Sequence, residues 1–266
     1  MTLTWKKKAP PAPPRKGLLG NADDYEVCPF TPSQQILYFA IGFLAGGVVS
    51  FIFYESLILS AVVAVACGLI YPKARRKQLI EKRKQKLLLQ FRDCLESLST
   101  SLGSGSNVPQ AFEAVAADMV VQHGPESDIS REMAIITEGI ADNINVEVLL
   151  GDFGTRSGLP DIKNFADVFE ICYRKGGNVR EIVKSTYQII CDKVDVQLEI
   201  NTAVASKRME QNAMLVMPVV FIFLLKMMGS DMIDLRSVQG MLSTTAGLAC
   251  FIVAYLVGKK ILRIDL

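Results

Sequence analysis

A single histidine, His123, serves all 266 residues. A multi-histidine metal site is therefore excluded, and so is any mechanism that needs two imidazoles. The cysteines, Cys28, Cys67, Cys94, Cys172, Cys191 and Cys250, form no C-x-x-C pair. Zinc sites and disulfide frameworks need closer ligands than these, so buried thiols in a reducing compartment are expected. The chain has no phosphate-binding G-x-x-x-x-G-K-[ST], no dinucleotide-binding G-x-G-x-x-G, no H-E-x-x-H and no G-x-S-x-G. Gly103-Ser104-Gly105 and Gly176-Gly177 lack both a preceding strand and a following lysine, so they read as helix punctuation. Nothing in residues 87–206 sets a nucleophile beside a base. The expectation is no catalytic, cofactor-binding or metal-binding residue, no cofactor, and a protein that is not an enzyme. Period-two alternation is nowhere sustained, which excludes a sheet and leaves an all-α fold.

What is present is unevenly distributed. Two uncharged apolar runs, Ile36–Tyr54 and Ser56–Tyr71, are separated by little more than Glu55. Eight basic residues then crowd Lys73–Lys86 against one acid, Glu81. Two further apolar runs, Ala213–Gly229 and Ser237–Gly258, close the chain; the first is broken only by Lys226, and Lys259, Lys260 and Arg263 follow the second. Crossing about 30 Å of hydrocarbon takes roughly 17–25 apolar residues, so four transmembrane helices are expected, the second slightly short. Basic residues at the N-terminus, in Lys73–Lys86, at Lys207 and Arg208 and in the tail all fall on one side of that arrangement. Both termini are therefore expected in the cytoplasm of a multi-pass membrane protein, with the lipid bilayer as one partner. The domain division that follows is a basic, proline-rich tail at 1–35, a membrane hairpin at 36–72, a cytoplasmic helical domain with a basic lead-in at 73–212, and a C-terminal membrane pair with a basic tail at 213–266. Ala9–Pro14, with its four prolines, reads as extended polyproline in that tail.

The central region is helical and acidic. Residues 87–206 carry nine basic and eighteen acidic groups, a balance that repels phosphates and excludes nucleic acid as a partner. Leu87, Phe91, Leu95, Leu98 and Leu102 recur at spacings of three and four, one face of a helix. Asn107 with Pro109 opens a second helix burying Ala111, Phe112, Val115, Ala116 and Met119. A third follows His123-Gly124-Pro125, with Ile129, Met133, Ile136 and Ile140 inward. Val146, Leu149, Leu150 and Phe153 mark a fourth, ended by Gly158-Leu159-Pro160. Ile162, Phe165, Phe169, Cys172 and Tyr173 mark a fifth, ended by Gly176-Gly177. Asn178 caps the sixth with Glu181 as its capping-box partner, and that helix runs unbroken toward the third apolar run. A six-helix cytoplasmic bundle is the expected fold of this part.

The order of these motifs resembles the F domain of type II secretion systems, found in the platform proteins of secretion systems and type IV pili. Phe91–Gly103 followed by Ser106–Glu113 is similar to the family's leucine-rich helix, small-residue turn and Pro-x-Ala opening. Tyr173–Val183 is similar to its Gly-Gly-Asn turn, and Ala205–Glu210 stands where the family has a polar stretch ahead of a span. A single Gly-Gly-Asn turn behind an N-terminal span pair resembles the single-copy TadB branch of the tight-adherence pilus machinery. The resemblance implies an assembly platform in the bacterial plasma (inner) membrane that couples a cytoplasmic secretion ATPase to pilin or pseudopilin subunits. It also implies a sister F-domain protein or a homo-oligomer, since related platforms carry two copies. Gly176, Gly177, Asn178 and Glu210 are candidate partner contacts. A small membrane transporter or channel is the alternative, disfavoured because Glu55 and Lys226 lie near span ends rather than at mid-membrane.

Overall fold

The structure, a computed structural model, describes residues 17, 18, 20, 25, 32–54, 57–227 and 257; within the helices, the side chains at 32–34, 49, 51–54, 57–59, 73, 74 and several positions from 206 onward are not described. Its elements are α1 (Pro32–Tyr54), α2 (Leu57–Gly103), α3 (Val108–His123), α4 (Asp128–Ala141), α5 (Val146–Ser157), α6 (Pro160–Lys175) and α7 (Val179–Met227). No strand occurs among the described residues. The chain divides into two compact units, one formed by residues 1–29 with 79–194 and the other by 30–78 with 195–266.

In the first unit the later part of α2, α3 to α6 and the start of α7 pack around one apolar core. Leu87, Phe91, Leu95, Leu98 and Leu102 on α2 are all buried, as the stripe required. Asn107 caps α3 by accepting from the Gln110 N–H at 2.9 Å, and Ser127 caps α4 by accepting from Ser130 N–H at 3.2 Å. Each cap satisfies a donor that the first helical turn leaves free. Aromatic edges lock the centre: Phe91 meets Phe153 at 6.1 Å and Phe165 at 5.5 Å, and Phe112 meets Phe169 at 6.3 Å. Tyr173 stacks on Phe169 at the rim and stays 38 % exposed, so it borders this core rather than filling it.

Cys94 is the one described cysteine that is fully buried; Cys67, Cys172 and Cys191 are free and half-buried, which corrects the expectation of uniformly buried thiols. Burial and the neighbouring Asp93 charge push the Cys94 thiol up to about 12. Because this lies above the ordinary value of 9.0, the associated stability is complete below pH 9.0 and is lost as pH climbs toward 12. Iodoacetamide at pH 8 is expected to label Cys172 and Cys191 while sparing Cys94 until the domain unfolds, and mass mapping of the adducts checks this. Labelling of Cys94 at the same rate as Cys191 would contradict the burial.

In the second unit α1 packs on the start of α2 through small residues. A Cβ on Gly42 would lie 2.8 Å from the Tyr71 Cβ, and one on Gly46 would lie 2.7 Å from the Cys67 Cβ. Only glycine lets the two backbones approach this closely. The apolar run that ends at Pro72 does not end its helix: α2 continues through Pro72 to Gly103. Proline forfeits the hydrogen bond to the carbonyl four residues back and crowds it. That residue is Gly68, whose backbone has the most freedom to yield, and the Lys, Arg, Gln and Leu residues beyond are good helix formers.

Among the described residues no helix is long and apolar enough to cross a membrane. Side chains are described continuously over 35–48 of α1 and 60–72 of α2 within the expected hairpin. The polyproline stretch Ala9–Pro14, Glu55, the Lys226 side chain and, but for Val257, the fourth apolar run Ser237–Gly258 with its basic tail lie outside what is described.

Candidate functional site

The Gly-Gly-Asn turn is built by the chain's own hydrogen bonds. Gly176 sits at φ +69°, the left-handed conformation that ends a helix at least cost when the residue is glycine. The Gly177 N–H donates to the Cys172 carbonyl at 2.8 Å. Asn178 then accepts from the Glu181 N–H at 3.3 Å and its amide reaches the Glu181 carboxylate at 3.4 Å, a capping arrangement at the start of α7. Asn178→Ala is expected to destabilise the domain by about 1 kcal/mol, measured by denaturant unfolding. A change under a few tenths would show the cap to be idle. Glu210 lies apart from this turn, exposed on α7 and paired with Lys207 at 2.9 Å. Gly176, Gly177 and Asn178 therefore act together as a turn and cap, whereas Glu210 is a helix-surface carboxylate.

The strongest polar feature lies inside the bundle and was not visible as a motif. Arg156 on α5 donates twice to Glu132 on α4, both at 2.7 Å, and its Nε donates to Asp152 at 2.7 Å. The Arg156 and Glu132 side chains are only 2 % and 1 % exposed, so each charge depends on the other for compensation. Burial opposes the Arg156 charge, but the bonds to Glu132 and Asp152 outweigh it and hold the guanidinium above its ordinary range. Tyr25, from the segment preceding α1, is 2 % exposed and donates its hydroxyl to Glu132 at 2.8 Å. Its N–H donates to the Arg156 carbonyl at 3.3 Å, and the Arg83 guanidinium lies 4.6 Å from its ring centroid. Burial and the Glu132 charge raise the Tyr25 hydroxyl, which stays a neutral donor. Arg83 in turn grips Asp128 with bonds of 3.0 and 2.6 Å.

Part of this network could have been found in the sequence. Glu132 lies three residues beyond Ile129 and four before Ile136, and Arg156 lies three beyond Phe153, so opposite charges occupy inward helix positions. Tyr25 carried no such signal, being one aromatic in a polar stretch.

At the surface, Asp93, Glu96 and Ser97 on α2 with Asp118 on α3 line an open cleft of about 380 Å³. Ser97 donates to Asp118 at 2.5 Å, Arg92 pairs with Asp93 at 2.8 Å, and His123 Nε2 lies 3.1 Å from Asp93. Such a lining suits a basic or hydrogen-bonding side chain of a partner. Among the described residues no group of His, Cys, Asp or Glu is placed to hold a metal ion. Arg180 closes the bundle's end by donating to the Leu102 carbonyl at 2.6 Å, capping the C-terminus of α2 from the first turn of α7.

Compared with family models, residues 94–228 match the one described as type II secretion system (T2SS), protein F. That span covers α3 to α7 and the end of α2, the part that holds the turn, the buried pair and all of the cleft but Asp93. Comparison with curated proteins finds no match, and comparison with solved structures finds none.

Proposed function

Because the chain belongs to the type II secretion system protein F family, a family of secretion and pilus-assembly platform proteins typically found in the inner membrane, we propose that it is the single-copy, TadB-like platform of a tight-adherence or type II secretion-like machine. In this reading the apolar runs 36–54, 56–71, 213–229 and 237–258 cross the membrane and both termini lie in the cytoplasm. The six-helix domain receives a cytoplasmic secretion ATPase, and the platform passes its motion to pilin or pseudopilin subunits. A second F-domain protein or a second copy of this chain completes the assembly. No hydrolysis falls to this chain.

The observation that carries the reading is α7. One helix of 49 residues begins at the Asn178 cap on the acidic domain and ends in the third apolar run. A helix free of glycine, and of proline before Pro218, resists bending along its length, which is what transfer of motion requires. The surplus of acid on residues 87–206 favours a basic docking face on the ATPase and makes the association salt-sensitive. Purification of the full chain in detergent tests the proposal. The ATPase and a pilin subunit are expected to co-elute at low salt, with the ATPase released at high salt. Elution with neither would overturn the reading.

A further inference from the structure

Between α1 and the first half of α2 lies a groove of about 450 Å³, lined by the apolar Ile36, Phe39, Gly68, Leu69 and Pro72 together with Gln35 and Arg76. Its size falls within the roughly 300–1,000 Å³ typical of small-molecule sites. The groove exists because of two residues. A Cβ on Gly68 would lie 2.8 Å from the Phe39 ring, so glycine is what lets that ring lie against the helix. Pro72, one turn further on, has no N–H to offer the Gly68 carbonyl. The walls are hydrocarbon apart from the Gln35 amide, and the Arg76 guanidinium is exposed and makes no hydrogen bond or ion pair among the described residues. Its neighbour differs: Arg75 is engaged, donating to the Tyr71 hydroxyl at 3.3 Å and to Gln78 at 3.2 Å.

We propose that this groove binds one anionic glycerophospholipid, with an acyl chain along Ile36, Phe39 and Leu69 and the phosphate on Arg76. The charge pattern selects this occupant. An apolar trough ending in an unengaged guanidinium matches a molecule with a hydrocarbon tail and a phosphate head, and arginine binds phosphate through paired donors. A helical pilin segment satisfies its own backbone but brings no phosphate for Arg76 to hold. The inference rests on the membrane reading above, because it needs α1 and the start of α2 in a bilayer. A bound anionic lipid would cement the hairpin at the level where α2 passes into its basic stretch.

The test is native mass spectrometry of the full chain released from nanodiscs of equal phosphatidylglycerol and phosphatidylcholine. The wild type is expected to retain phosphatidylglycerol preferentially. Arg76→Gln should reduce that preference about fivefold, the effect of one juxtamembrane basic residue. Leu69→Trp, which fills the trough, should reduce retention of the lipid itself. Lys82→Gln removes the same charge at an exposed position that does not line the groove, and should leave the preference unchanged. Glycerol 3-phosphate, which has the head but no tail, should not displace the lipid. Equal retention of both lipids, equal losses in Arg76→Gln and Lys82→Gln, or displacement by glycerol 3-phosphate would each overturn the proposal. Carbonate extraction of the same membranes separates the two readings. A chain that resists extraction but shows no lipid preference keeps the membrane reading and loses this one, whereas an extracted chain loses both.

Discussion

Arg156→Met is expected to destabilise the helical domain by about 3–5 kcal/mol, the cost of leaving a buried charge without its partner. The substitution conserves much of the side-chain volume but strands Glu132, which is 1 % exposed. It also removes the α5 half of the junction that ties α4, α5 and the Tyr25 segment together. Asp152 is 20 % exposed and can turn to water, so the penalty is concentrated on Glu132. The double variant Arg156→Met with Glu132→Leu should recover much of the loss, because well-packed apolar replacements of buried ion pairs are often neutral or stabilising. Thermal unfolding of the purified chain checks both. A loss under about 1 kcal/mol in the single variant would mean that water reaches the pair and that the bundle is looser than described.

Tyr25→Ala should cost nearly as much, about 3–5 kcal/mol, the range for deleting a buried aromatic ring. Its ring lies under Arg83 and its hydroxyl donates to Glu132. Tyr25→Phe removes only the hydroxyl and should cost about 1.5–3 kcal/mol, the worth of a hydrogen bond to a charged group. The two variants together separate packing from bonding. Reactivity of Cys94 gives the readout, since its thiol is fully enclosed and pushed up to about 12. Both variants should raise its alkylation rate, Tyr25→Ala the more. If neither raised it, the segment around Tyr25 would contribute nothing to the domain.

The helical domain was legible in the sequence almost helix by helix, because its signals are local. Stripes such as Leu87–Leu102, the Asn107 and Asn178 caps and the Gly158 and Gly176 stops each act within a few residues of themselves. The join across Pro72 was less legible. A proline marks the end of an apolar run, but whether the helix also ends depends on how the carbonyl at residue 68 accommodates the ring. The Glu132–Arg156 pair needed two inward positions, 24 residues apart, to be matched across helices. Tyr25 contacts a residue 107 positions away, and nothing in its neighbours marks it as inward. Of the candidate contacts, Gly176, Gly177 and Asn178 form an exposed turn and cap whose signal is local, whereas the Asp93–Asp118 cleft required α2 and α3 to be set side by side.

Transmission through α7 is tested most directly by Ala203→Pro, at an exposed position in the middle of that helix. The proline removes the hydrogen bond to the Glu199 carbonyl and kinks or breaks the helix, leaving the bundle's own caps and core untouched. Pilus assembly or secretion by cells carrying this variant is the measurement, with ATPase capture as its control. The account predicts that the ATPase is still captured while output falls to the level of a deletion strain. Output equal to wild type with the helix broken would contradict it, because the domain's motion would then not travel through α7.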